Sequence, residues 1–145
     1  MKIKFSPKNR PIYPELRIMY RIVQILLILD ISSRGKKSSL IRLHLFNWGL
    51  NCQENRTALL KFARDMKQGI NFWSVDPMLN RAVEFAVADK LIKRENNNYS
   101  ITDEGKAYIT LVKNNEVFDN DISLLKMIGK NITESLVSKQ LELWR

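Results

Sequence analysis

The residues with the clearest chemical potential lie in one short stretch, Arg34-Gly35-Lys36-Lys37-Ser38. This order resembles the end of the nucleotide-binding loop G-x-x-x-x-G-K-[ST], whose backbone amides surround a phosphate. That motif requires a first glycine where this chain has Asp30, and it follows a strand, whereas a helix is predicted before this stretch. The sequence therefore excludes an ATPase loop at this position.

What remains of this stretch is a cluster of cations. Arg34, Lys36 and Lys37 lie in the loop, and Arg42 follows one turn into the next predicted helix. Four positive charges this close together predict contact with the backbone of double-stranded DNA or with an acidic protein. The alternative is a solvated basic loop with no ligand.

The other reactive residue types are too few for catalysis or metal binding. The chain has one histidine, His44, and one cysteine, Cys52. A general base needs a positioned partner and a structural zinc needs four ligands, and neither set is present in the sequence. We therefore expect no enzyme, no metal site and no cofactor, and the lone cysteine suits a reducing cytoplasm.

The charge of the chain is large and unevenly distributed. Its 145 residues carry 24 Lys and Arg against 15 Asp and Glu, a formal net charge of +9. Ten of the basic residues and only two of the acids fall within residues 1–50. This distribution predicts a polyanionic partner for the first third of the chain, which begins with a basic arm over residues 1–12.

Periodic apolar residues predict that the protein is mainly α-helical. A largely buried helix begins at Pro14 and runs to Leu29, and its most apolar run is too short to span a bilayer, so no membrane is expected. Ser39 is predicted to cap a second helix, the pair Asn51 and Glu54 a third, and Asp76 a fourth.

A small β-hairpin is predicted after the fourth helix. Leu91-Ile92-Lys93-Arg94-Glu95 and Tyr99-Ser100-Ile101 flank a turn of three asparagines. Thr102 is then positioned to cap a further helix that contains Gly105 in its first turn.

A series of helices followed by a hairpin and a capped helix resembles a winged helix domain. The stretch from Leu91 to Ala107 is similar to the wing and the "LT-x-x-G" helix start of such proteins. The resemblance implies a winged helix domain over residues 13–114, with the arm before it and a C-terminal helical extension over residues 115–145.

A narrower resemblance covers about residues 11–110. Pro14-Glu15-Leu16, Leu43-His44-Leu45-Phe46-Asn47-Trp48 and Asp76-Pro77-Met78-Leu79-Asn80-Arg81-Ala82 are similar to the middle component of bacterial three-component ABC-ATPase defence systems. The resemblance implies a non-catalytic accessory subunit that links an SMC- or Rad50-like ATPase to DNA or to an effector, in defence against phage and plasmids.

The alternative function is a dimeric, DNA-binding transcription regulator. In winged helix proteins that bind DNA in the usual way, the helix before the hairpin enters the major groove and the wing contacts the backbone. Here Asn80 and Arg81 would face the bases, while Lys93 and Arg94 would contact phosphates. Glu84 on the same helix would repel phosphates, which weakens this alternative.

The C-terminal helices carry more apolar residues than a winged helix needs to close its core. We predict that they dock a partner or a second copy of the chain, or else fold back over their own core. The predicted docking residues are Leu124, Leu125, Ile128, Leu136, Leu141 and Trp144.

Overall fold

A computed structural model describes residues 14–65, 69–70 and 74–143 of the protein. The predicted basic arm over residues 1–12 and the predicted docking residue Trp144 lie outside these ranges.

The first helix, α1 (Pro14–Ile31), is the centre of the fold. Every side chain from Ile22 to Leu29 is buried, on all sides of the helix. A helix that is apolar all round must be surrounded by other elements, and α1 packs against helices from both halves of the chain. The prediction of a buried core helix is confirmed.

Three further helices follow, α2 (Leu40–Leu50), α3 (Gln53–Arg64) and α4 (Pro77–Ala88). The Ser39 hydroxyl accepts the amide of Arg42, and the Asp76 carboxylate accepts the amide of Met78, so both predicted caps are confirmed. The predicted Asn51 cap is wrong. Asn51 terminates α2, and α3 begins after Cys52, whose side chain makes no capping hydrogen bond.

Within the residues that the structure describes, the sheet has three antiparallel strands, β1 (Lys37–Ser39), β2 (Ile92–Glu95) and β3 (Asn98–Ile101), in the order β1-β3-β2. The predicted hairpin is confirmed as β2 and β3. Asn96 and Asn97 at its tip have φ values of 49° and 67°, the left-handed conformation that a two-residue hairpin turn requires and that asparagine tolerates. Strand β1 was not predicted, because its sequence Lys-Ser-Ser has the composition of a loop.

The helix after the hairpin, α5 (Asp103–Val112), begins as predicted at Thr102. The Thr102 hydroxyl accepts the amide of Gly105 and donates to the carbonyl of Leu91. A side chain at position 105 would overlap that same carbonyl oxygen. Gly105 therefore allows the backbone of α5 to approach the start of β2 closely.

The last two helices, α6 (Asp119–Ile128) and α7 (Glu134–Leu143), fold back over the core. Three of the predicted docking residues are buried beside α1 and α3, namely Leu124, Leu125 and Ile128. The prediction that these three dock a partner is wrong, and the alternative, that they fold back over the chain's own core, is confirmed for them. Leu136 and Leu141 are half-buried against the same core. Residues 119–143 and the elements before them therefore share one hydrophobic core.

The described part of the chain is mainly helical with a small antiparallel sheet, which confirms the fold class at that level. None of its helices combines the length and the apolar character needed to cross a membrane.

Candidate polyanion-contact surface

The sheet brings together two basic segments that are far apart in the sequence. Lys37 on β1 and Lys93 on β2 both lie directly opposite Ser100 on β3, the central strand. Residues opposite each other in antiparallel strands point to the same face, so the two lysines and Ser100 form one row. Both lysines are exposed. We call the face that carries this row the sheet face.

A second row of the sheet face contains Ser39, Asn98 and Glu95. The Glu95 carboxylate accepts a hydrogen bond from Lys93 Nζ at 2.9 Å. This bond and the charge of Lys93, with a smaller contribution from Lys37, hold the pKa of Glu95 below its ordinary value. The same bond and the charge of Glu95 raise the pKa of Lys93. Because the pair is fully exposed, an approaching phosphate can compete with Glu95 for the ammonium group.

Two predicted arginines flank the sheet face. Arg34 is exposed in a short 3₁₀ turn, Arg34–Lys36, immediately before β1. Arg94 is also exposed, but it lies opposite Tyr99 and therefore points to the other side of the hairpin. The region also contains acids, because Glu95 is paired with Lys93 and the charge of Asp103 acts on the same lysine.

Lys36 is directed away from the sheet face. Its Nζ forms an ion pair with Asp30 at 2.7 Å and also donates to the Asp30 carbonyl oxygen. Lys113 on α5 pairs with the same carboxylate at 3.1 Å. Partial burial disfavours the charged form of Asp30, but the two lysines outweigh it and lower its pKa. Lys36 therefore joins the end of α1 to its own loop.

Arg42 is buried, so the prediction that it contacts a partner is wrong. Its Nε donates to the carbonyl of Ile132 at 2.7 Å, Nη1 donates to the hydroxyl of Ser33 at 2.7 Å, and Nη2 donates to the carbonyl of Ser32. The guanidinium also lies 4.6 Å from the ring centre of Phe46. Burial lowers the pKa of Arg42 to about 10, and the charge of Glu134 opposes this shift. Arg42 is a structural cation that holds three segments together.

The two predicted base-reading residues are on the exposed side of α4, but Asn80 is engaged within the protein. Its Oδ1 lies 3.0 Å from Nε2 of His44, whose Nδ1 accepts the backbone amide of Asp76. His44 is thus the neutral tautomer with the proton on Nε2. Burial lowers the pKa of His44, while Asn80 and Asp76 oppose the shift. His44 is therefore a buried residue that joins α2 to the start of α4.

Arg81 is exposed on α4, and Glu84 and Phe85 are exposed on the following turn. The sheet begins only after the end of α4, and Arg81 lies seven residues before that end, which is about 10 Å along the helix axis. The structure therefore does not bring Arg81 into the row formed by Lys37 and Lys93.

One residue at this site, Glu134, was not predicted from the sequence. Its carboxylate accepts the amide of Ser39 at 2.9 Å, which satisfies a backbone donor of β1. Glu134 is the first residue of α7, and nothing in its local sequence indicates a contact with a strand near residue 39.

Among the residues that the structure describes, no group of three His, Cys, Asp or Glu side chains is placed to hold a metal ion. Comparison of the chain with protein-family models, with curated proteins and with solved structures gave no match.

Proposed function

We propose that this protein is a cytoplasmic, non-catalytic winged helix accessory subunit that links an SMC- or Rad50-like ATPase to DNA or to an effector, and that its sheet face contacts the phosphate backbone. The observation that carries the DNA contact is the exposed row formed by Lys37, Ser100 and Lys93. The assignment to such a complex rests on the resemblance of residues 11–110.

The spacing of the row supports contact with a backbone. Lys37 and Lys93 are two strands apart, which places their backbones about 10 Å from each other. Two lysines on backbones this far apart can reach different phosphates, and such contacts position a protein on DNA without reading its sequence. The Ser100 hydroxyl between them is a further hydrogen-bond donor.

The arrangement of elements also supports a winged helix. The helix α4 leads directly into the hairpin, β1 completes the sheet along the free side of β3, and Thr102 begins α5. The exposed Glu84 on α4 and the hydrogen bond between Asn80 and His44 favour the accessory subunit over a sequence-reading regulator, since residues that read bases need free polar side chains.

The DNA contact is tested by reversing the charges of the row. The double variant Lys37→Glu with Lys93→Glu is compared with a control, Lys61→Glu with Lys139→Glu, which changes two exposed lysines on α3 and α7 by the same total charge. Binding to a fluorescent 25-base-pair duplex is measured by anisotropy at several salt concentrations.

We expect the wild-type protein to bind with no sequence preference and with an affinity that falls steeply with salt. The sheet-face variant should lose at least tenfold in affinity, and its salt slope should decrease by about 2, because two phosphate contacts are removed. The control should stay within about threefold of wild type. Equal losses in both variants would show that overall charge, and not the sheet face, drives binding.

The regulator is tested in the same assay with Arg81→Ala. A preference for one duplex sequence that disappears in this variant would replace our proposal with the regulator. The subunit assignment is tested separately, by co-expressing the chain with the product of the neighbouring gene. A long coiled-coil ATPase that co-purifies with the chain is expected, and a neighbour that is not such an ATPase would contradict the assignment.

A further inference from the structure

The outer side of α4 carries a row of three exposed residues, Arg81, Phe85 and Asp89. They follow one another at intervals of four residues, so they lie on successive turns of the same side of the helix. Asp89 comes directly after the last residue of α4, and its amide still donates to the carbonyl of Phe85 at 2.9 Å, which continues the helical turn. Phe85 is 51% exposed. We call these three residues the α4 row.

Neither charge of the α4 row is neutralised within the described part of the chain. Arg81 and Asp89 form no ion pair with any side chain there. They are eight residues apart, about 12 Å along the helix, and so cannot pair with each other. Asp89 also lies at the C-terminal end of α4, where the partial negative charge of the helix disfavours an acid. The row thus presents a cation, a large apolar side chain and an anion to solvent, in that order.

This order makes the α4 row complementary to itself. In a two-fold dimer the same surface of both copies meets, and a residue at the axis contacts its own counterpart. Arg81 and Asp89 are each four residues from Phe85, on opposite sides of it. If two copies of α4 lie antiparallel with Phe85 at the axis, Arg81 of each copy is therefore opposite Asp89 of the other. The contact then contains one aromatic pair and two ion pairs.

The usual packing of helices allows this contact. Residues four apart form ridges on a helix, and ridges of this kind fit together when two helices cross at about 50°. Ala88, one turn after Phe85, is exposed and has a small side chain, so it leaves room for the ring of a second copy. Aromatic rings at such a contact also stabilise each other beyond the area that they bury.

We propose that this protein forms a two-fold homodimer through α4, in which the two Phe85 rings pack together and Arg81 of each copy pairs with Asp89 of the other. About three turns of helix cover much less than the roughly 800 Å² per partner of a stable interface, so the dimer is weak. The dimer covers Arg81 and so removes it from contact with bases. The proposal does not depend on the DNA contact of the sheet face.

Self-association of the full chain is measured by sedimentation equilibrium at increasing protein concentrations. The weight-average mass should rise from the 17.0 kDa of one chain toward that of a dimer. A dissociation constant of about 100 µM is expected for a contact of this size. A chain that stays monomeric up to 1 mM would overturn the proposal. This holds even if Phe85→Ser prevents co-purification of the neighbouring ATPase, because α4 would then dock a different protein.

An exchange of charges tests the pairing across the two-fold axis. Arg81→Asp and Asp89→Arg should each weaken the dimer at least tenfold, because two contacts between like charges replace two ion pairs. Both changes in one chain place opposite charges across the axis again and should restore the wild-type dissociation constant within about threefold. A double variant that dimerises as weakly as the single variants would overturn the proposal.

The aromatic centre is tested by Phe85→Ser, which should also weaken the dimer at least tenfold. Two controls change exposed residues elsewhere: Leu111→Ser on α5, where the leucine is 78% exposed, and Arg34→Asp beside the sheet. Both should leave the dissociation constant unchanged. All the substituted residues are exposed, so the variants should keep the circular dichroism spectrum of the wild-type protein. Equal losses in Phe85→Ser and Leu111→Ser would indicate non-specific association and would overturn the proposal.

Discussion

Arg42→Met removes a buried charge while keeping the approximate length of the side chain. In the wild-type protein the guanidinium satisfies the carbonyls of Ser32 and Ile132 and the hydroxyl of Ser33, all in residues that are fully buried. The methionine provides no donor, so these three acceptors lose their partner.

The magnitude follows from opposing contributions. An unsatisfied buried acceptor costs about 1 to 3 kcal/mol, so the two carbonyls cost about 2 to 6 kcal/mol. The Ser33 hydroxyl still donates to the Ile28 carbonyl, so the loss of its bond to Arg42 adds only about 1 kcal/mol. Removing Arg42 also removes the desolvation penalty of its charge, which is several kcal/mol. The contact with Phe46 changes little, because a methionine sulfur also interacts favourably with an aromatic ring. We expect a net loss of about 3 kcal/mol in the free energy of unfolding, which corresponds to about 9 °C in Tm for a chain of this length.

The matched control is Lys37→Met, which removes the same charge from an exposed position five residues earlier. Its Tm should change by less than about 2 °C, and its affinity for DNA should fall instead. Chemical denaturation and thermal unfolding of both variants measure the stability, and anisotropy measures the DNA binding. Our account of Arg42 would be refuted if Arg42→Met kept the wild-type Tm and bound DNA as weakly as Lys37→Met.

Three other substitutions test separate parts of the structure. Gly105→Ala should destabilise the protein by about 1 to 3 kcal/mol in denaturant titrations, because the added methyl group meets the backbone carbonyl of Leu91. The neighbouring Lys106→Ala should change the stability by less than about 0.5 kcal/mol, and equal effects of the two variants would contradict the close approach of α5 to that carbonyl. Leu125→Ala should cost about 2 to 5 kcal/mol and Met127→Ala, on the exposed side of α6, almost nothing; a stable Leu125→Ala protein would restore the docking interpretation of that residue. Burial lowers the pKa of His44 below 6.5, so on acidification the histidine of the unfolded chain is protonated before that of the folded protein, and stability should fall as the pH decreases below 6.5. His44→Gln should reduce the slope of Tm against pH between pH 5 and 7.5. An unchanged slope would argue against a neutral His44.

Most of the local structure was accessible from the sequence. The caps at Ser39, Asp76 and Thr102 and the asparagine turn of the hairpin act through backbone groups within a few residues of each other, so their residue types and spacing predict them. The buried helix α1 was equally clear, because apolar residues on all its sides leave no face for water.

The candidate sites were much less accessible. Gln24 within the apolar run of α1 indicates a buried polar contact, since a buried amide needs partners, but its partner Asp121 lies in α6, far along the chain. The basic loop gave no indication of which of its charges face solvent. Lys36 is held by Asp30 and Arg42 by buried carbonyls, while only Arg34 and Lys37 remain exposed.

The sequence by itself determined the number, type and approximate limits of the helices and the hairpin, because each depends on short-range hydrogen bonds and on periodic burial. Only the tertiary structure decided which surfaces those elements share. The pairing of β1 with β3 places Lys37 beside Lys93, and the return of α6 covers α1 with residues that could equally have faced a partner. The physical reason is that an apolar stripe predicts burial and a cation predicts water or an anionic partner, but neither indicates which distant segment of the chain will contact it.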